Sequence, residues 1–131
     1  MISFNDYVTA SGKYPERLNS PELTADKVGN AHDLLDKVNA LFAELGVTGS
    51  SVSSGFRTSA VNAGTFGAAP HSHHMTGDAV DIEDADGKLH ALMKANAATL
   101  DRYALWFEER QGGWQHIQRV PPGSGHKWFF P

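Results

Sequence analysis

The segment Ser72-His73-His74-Met75-Thr76-Gly77-Asp78-Ala79-Val80-Asp81 decides how this chain is read. It carries an imidazole at His74 and a carboxylate at Asp81, with Gly77 between them. Glycine takes turn conformations closed to other residues, so the chain can fold back there and bring both side chains to one point. Ala79 is small, as a position tucked beneath such a point has to be. Later, Trp114-Gln115-His116 supplies a further imidazole. Two histidines and one carboxylate are three ligands of the kind zinc takes, which leaves a fourth position for water. An open site of that type implies hydrolysis, because the ion lowers the pKa of its water toward neutrality and polarises a carbonyl.

Working outward, Ala79-Val80-Asp81-Ile82 alternates, which predicts a strand with Val80 and Ile82 in the core and Asp81 on the opposite face. Trp114–Arg119 reads as a second strand with Trp114, His116 and Gln118 on one face, and Tyr103–Glu108 as a third. Val47–Phe56 predicts a short strand ending near Gly55, and Asp84-Ala85-Asp86-Gly87 a turn. Leu34, Leu35, Val38, Leu41, Phe42 and Leu45 form one apolar helical stripe, stopped by Gly46 at the position after the last turn. Leu89–Asn96 reads as helix, Ser20-Pro21 as a helical start, and Ser59–Ala63 as one helical turn inside a loop spanning 57–72. Gly12, Pro15 and Asn19 predict irregular chain over residues 1–20. The sum is an α+β fold, a small antiparallel sheet flanked by helices.

Bulk composition narrows the function. At 131 residues the chain fits one domain, 1–131, able to bury a core without staples. A 40% hydrophobic and 20% charged composition excludes disorder as the default. The absence of cysteine removes both disulfides and thiolate zinc sites. A net charge of −4 without a lysine/arginine cluster argues against nucleic acid, and no apolar run approaches the roughly 18 residues of a membrane span. The start Met1-Ile2-Ser3-Phe4 lacks the basic and apolar regions of a signal peptide, so cytoplasmic synthesis followed by release is expected, and a monomer with it.

Of the seven histidines, His32 and His90 fall on predicted helices without an evident partner, whereas His71, His73 and His74 cluster before a turn glycine. A calcium-loop reading of Asp84 and Asp86 fails, because Ile82 would take the first ligand position and Met93 the twelfth.

Ser72-x-His74-x-x-Gly77-x-Ala79-x-Asp81 followed by Trp114-x-His116 resembles the signature of the zinc D-alanyl-D-alanine carboxypeptidase family, kin to lysostaphin-type peptidases and hedgehog domains. Ser54-Gly55-Phe56-Arg57 with Val61-Asn62 resembles that family's Ser-Gly-Tyr-Arg segment, and the tail Val120–Pro131 that of short phage members. The resemblance implies one zinc ion held by His74, Asp81 and His116. Arg57 would contact a substrate carboxylate or carbonyl oxygen, with Asn62 and Ser72 also at the substrate, Ser72 orienting the loop rather than attacking. Many relatives place a glutamate base three residues before the last histidine, where this chain has Gly113. In the most similar subgroup the base lies on the preceding strand, which points to Glu108, with Glu109 the fallback, since alternation lets only one face the metal. His71, His73 and Asp78 are further candidates for the cleft.

The implied activity is hydrolysis of peptide bonds in peptidoglycan stem peptides, by a D,D-carboxypeptidase or an L-alanyl–D-glutamate endopeptidase of endolysin type. The competing expectation is a non-catalytic zinc module of a virion or partner-binding protein, which Gly113 favours.

Overall fold

A computed structural model describes residues 1–110 and 112–130, so Gln111 and the final tail residue Pro131 lie outside the described residues. The apolar stripe becomes α2 (Ala25–Leu45), whose buried face is Ala31, Leu34, Leu35, Val38, Leu41 and Phe42. Gly46 ends it in the left-handed region at φ 73°, its N–H turned back to the carbonyls of Phe42 and Ala43. Only glycine takes that conformation without a Cβ clash, so the helix stops there. Ser20-Pro21, expected to begin a helical turn, form a turn ahead of α2 with the Leu23 N–H donating to Ser20 O at 3.1 Å.

Residues 1–20 are also more regular than predicted. Helix α1 (Phe4–Thr9) is capped by Ser3, whose hydroxyl accepts from the Asp6 N–H at 3.0 Å, and a 3-10 turn follows over Pro15–Asn19. Pro15 occupies the first position of that turn, where its missing N–H costs nothing. Tyr7 and Val8 of α1 are fully buried, so tertiary packing stabilises a helix too short to persist alone.

Five strands form one sheet in the order β1-β2-β4-β3-β5: β1 (Val52–Ser54), β2 (Ala79–Glu83), β3 (Trp106–Glu108), β4 (Trp114–Gln118) and β5 (Trp128–Phe129). The first three pairings are antiparallel, as expected. The β3–β5 pairing is parallel, so the sheet is mixed and departs from the expected small antiparallel sheet only at this edge. The cause is the strand order: β4 is flanked by β2 and β3, so the chain beyond it pairs with the free edge of β3. There the Phe107 N–H donates to Lys127 O at 3.0 Å and the Glu109 N–H to Phe129 O at 2.7 Å.

Helices α3 (Ser59–Ala63) and α4 (Lys88–Ala95) fall close to the predicted spans, and α5 (Ala97–Arg102) follows where no element was expected. Val80, Ile82, Phe107 and Ile117 join the α2 stripe in one core. Burying each such side chain stabilises by about 1.5–3 kcal/mol. Strand alternation therefore turns Asp81, His116 and Glu108 to the other face, which is where the site assembles. No helix among the described residues is long and apolar enough to cross a membrane.

Candidate metal and catalytic site

Asp81 and His116 are register partners on adjacent strands β2 and β4. A short 3-10 turn, His73–Met75, delivers His74 to the same point, and Ser72 caps that turn by accepting from the His74 N–H at 3.2 Å. Gly77 makes the approach possible twice over. Its φ is +82°, and a Cβ there would lie 2.5 Å from the Lys27 carbonyl of α2.

All three side chains are buried, and their ligand atoms lie within 4.8 Å of one another. His74 Nε2 sits 3.2 Å and His116 Nδ1 2.9 Å from Asp81 Oδ1. Donor atoms arranged tetrahedrally at zinc bond lengths are about 3.3 Å apart, so this spacing suits that ion.

The hydrogen bonds behind the rings set which nitrogen faces inward. His74 Nδ1 lies 2.8 Å from the Gly55 carbonyl, which only accepts, so Nδ1 carries the proton and Nε2 offers its lone pair. Gln118 donates its amide N–H to Val120 O at 2.7 Å, so its Oε1, 2.8 Å from His116 Nε2, must accept. When neutral, His116 thus turns the Nδ1 lone pair toward Asp81, and when protonated it donates from Nδ1 to that carboxylate. Two lone pairs and a carboxylate oxygen converging in a buried pocket call for a cation between them, and the donor set fits zinc.

The electrostatics agree. Burial opposes ionisation of Asp81, yet the His74 and His116 imidazoles outweigh it and hold the carboxyl far below the usual range. Burial lowers the His74 pKa despite Asp81. It also opposes the cation at His116, where the hydrogen bond to Asp81 prevails and raises the pKa.

Glu108 reaches this point, with Oε1 3.5 Å from His116 Nδ1, and burial pushes its carboxyl above the ordinary range. Glu109 turns away, pairing with Lys94 Nζ at 2.6 Å and lying 3.4 Å from His90 Nε2. Alternation on the strand thus separates the two expected alternatives.

Arg57 is held on three sides. Its Nε donates to Ser54 Oγ at 3.0 Å, Nη1 to Asn62 Oδ1 at 3.4 Å and Nη2 to Asp81 Oδ2 at 3.4 Å. The guanidinium thereby holds the second carboxylate oxygen and leaves the first to the histidines. Asn62, expected at the substrate, has both ends of its amide engaged: Oδ1 with Arg57, and Nδ2 donating to Ala69 O at 2.9 Å. Ser72 is placed as a loop cap, in keeping with an orienting part.

Three other expectations need correction or relocation. The Asp78 carboxylate accepts from Arg119 Nε at 2.7 Å and from Thr76 Oγ1 at 2.6 Å. His71 and His73 stay outside the converging group, which among the described residues consists of His74, Asp81 and His116. His90 does have partners, since its Nδ1 is 2.5 Å from Gln115 Oε1.

Several contributors were missed. The Gly55 carbonyl and the Gln118 amide fix the imidazoles, and only Gln118 left a sequence signal, two residues from His116 on the same face. Phe129 of β5 stands edge-on to His116 with ring centroids 6.3 Å apart, beside Glu108 in register. A close approach explains Gly55 itself, because a Cβ there would sit 1.8 Å from Tyr7 O.

An α+β scaffold brings two imidazoles, a carboxylate and a neighbouring acid together over one sheet face, and the first three form a donor set that could hold a metal ion. The Peptidase M15 family profile matches residues 14–117, and the chain belongs to that family of zinc-dependent peptidases. No curated protein and no solved structure matches the chain significantly. The matched span contains Arg57, Ser72, His74, Asp81, Glu108 and His116, whereas β5 lies beyond it.

Proposed function

We propose that the protein is a zinc peptidase that hydrolyses peptide bonds in peptidoglycan stem peptides, as an endolysin-type D,D-carboxypeptidase or L-alanyl–D-glutamate endopeptidase. The observation that carries this is the convergence of His74 Nε2, Asp81 Oδ1 and His116 Nδ1 with the Glu108 carboxylate 3.5 Å from the last.

His74, Asp81 and His116 would hold one zinc ion. Bound there, zinc supplies Lewis acidity and a water of lowered pKa. Glu108 takes the proton from the attacking water and passes it to the leaving amine. Its raised pKa suits both halves of that transfer, since a base poised nearer neutrality also returns the proton readily. Arg57 orients Asp81 through Nη2, and its N–H groups not used by Ser54, Asn62 and Asp81 are available to a substrate carboxylate or carbonyl oxygen. Phe129 supplies an apolar wall beside the acid.

The missing glutamate at Gly113 favoured a non-catalytic zinc module. The Glu108 carboxylate 3.5 Å from His116 Nδ1 supports the hydrolase reading instead. Incubating zinc-loaded protein with purified peptidoglycan tests it: new amino termini should appear, vanish with chelator and return with zinc. Tight zinc binding without any cleavage of wall peptides would leave the binding module as the better account.

A further inference from the structure

Gln115 is a polar side chain with 0% exposure that the mechanism above does not use. It lies between Trp114 and His116 on β4, on the strand face opposite the metal-ligand positions. The β3–β4 pairing runs through Trp106↔Gln118 and Phe107↔Ile117. At the next step, where Glu108 would face His116, the Gln115 amide nitrogen donates to both carbonyls, to Glu108 O at 2.9 Å and to His116 O at 2.9 Å. Its Oε1 is then left as acceptor, and His90 Nδ1 meets it at 2.5 Å. His90 in turn is fixed by packing edge-on against Phe107, with centroids 5.7 Å apart, and by Glu109 Oε2 at 3.4 Å from its Nε2.

We propose that Gln115, locked by His90, is a positioning residue that sets the separation between the Glu108 carboxylate and the His116 imidazole from behind the sheet. The inference rests on the peptidase reading for its kinetic part only. One amide ties the backbone of the base to the backbone of a ligand, and each strand would otherwise lose the clamp at the step that carries chemistry. Groups that hydrogen-bond a metal-ligating side chain directly control metal affinity and rate by about 10–100-fold, and a clamp on the ligand's own backbone is expected to act within that range.

Gln115→Met keeps length and burial but cannot donate to the two carbonyls. It should lower kcat by roughly 10–100-fold with KM within about twofold, and weaken zinc affinity, measured by chelator competition, by a similar factor. His90→Phe should shift both quantities in the same direction by less, and its site is only half-buried, so it serves if Gln115→Met does not fold. A residue that merely stabilises the fold would lower Tm while leaving kcat and zinc affinity of the folded protein unchanged; that result in both variants overturns the proposal. If the wild type cleaves no wall peptide, the peptidase reading fails, and the zinc affinities alone then decide this inference.

Discussion

Replacing Glu108 with glutamine separates the roles of base and ligand, and its consequences have opposite signs for activity and stability. The substitution keeps the shape of the side chain and removes the proton acceptor 3.5 Å from His116 Nδ1. A positioned general base contributes about 10²–10⁴-fold, or roughly 2.7–5.4 kcal/mol at about 1.36 per decade, and kcat should fall by that factor. Zinc should stay bound, because the three converging ligand atoms belong to His74, Asp81 and His116. Stability should move the other way. Burial, together with the Asp81 charge and against the pull of His116 and Arg57, raises the Glu108 pKa in the fold. A raised carboxyl contributes stability that is full below its unfolded pKa, about 4.3, and lost as pH rises through the folded value. Glutamine imitates the protonated form at every pH. In zinc-free protein the variant should therefore melt higher than wild type at pH 7, with the advantage shrinking toward pH 4. Amine release from peptidoglycan, zinc content and calorimetry at both pH values are the assays. Activity within tenfold of wild type, or loss of zinc, would refute the assignment of Glu108.

Gly55→Ala would place a Cβ 1.8 Å from the Tyr7 carbonyl and disturb the carbonyl that orients His74, so Tm should drop by roughly 10 °C and zinc affinity with it; a melt within 2 °C of wild type contradicts this. Arg57→Lys cannot reproduce a three-way clamp on Ser54, Asn62 and Asp81, and kcat/KM should fall roughly 10–100-fold while zinc remains, which steady-state kinetics on the loaded enzyme would check. Tyr7→Phe removes the buried hydroxyl that donates to Ala79 O at 2.9 Å and should cost about 1–3 kcal/mol in denaturant unfolding, with kcat unmoved.

The metal-ligand positions were legible because their signal is local. Ligand type, one turn glycine and strand alternation linked His74 with Asp81, and the resemblance to a family signature added His116, whose strand pairing with Asp81 is long-range. Alternation also separated Glu108 from Glu109 once the strand was placed. Gly77 was read as a turn residue, yet the Lys27 carbonyl that would stand 2.5 Å from any Cβ at that position is brought there by α2 packing, which sequence does not display. The groups orienting the imidazoles were harder to see, since a backbone carbonyl such as that of Gly55 carries no mark in the sequence. Gln115 carries no local signal, because its three partners come from α4, β3 and β4. The parallel β5 and the short α1 are set by tertiary pairing and burial, while local glycine and proline suggested only irregular chain.

Zinc-edge X-ray absorption on protein loaded with one equivalent of the metal tests the central claim most directly. Four nitrogen or oxygen donors at about 2.0–2.2 Å are predicted, two of them imidazole and one from solvent, with no sulfur. An octahedral all-oxygen shell, or zinc that dialyses away to leave substoichiometric metal, would contradict the account.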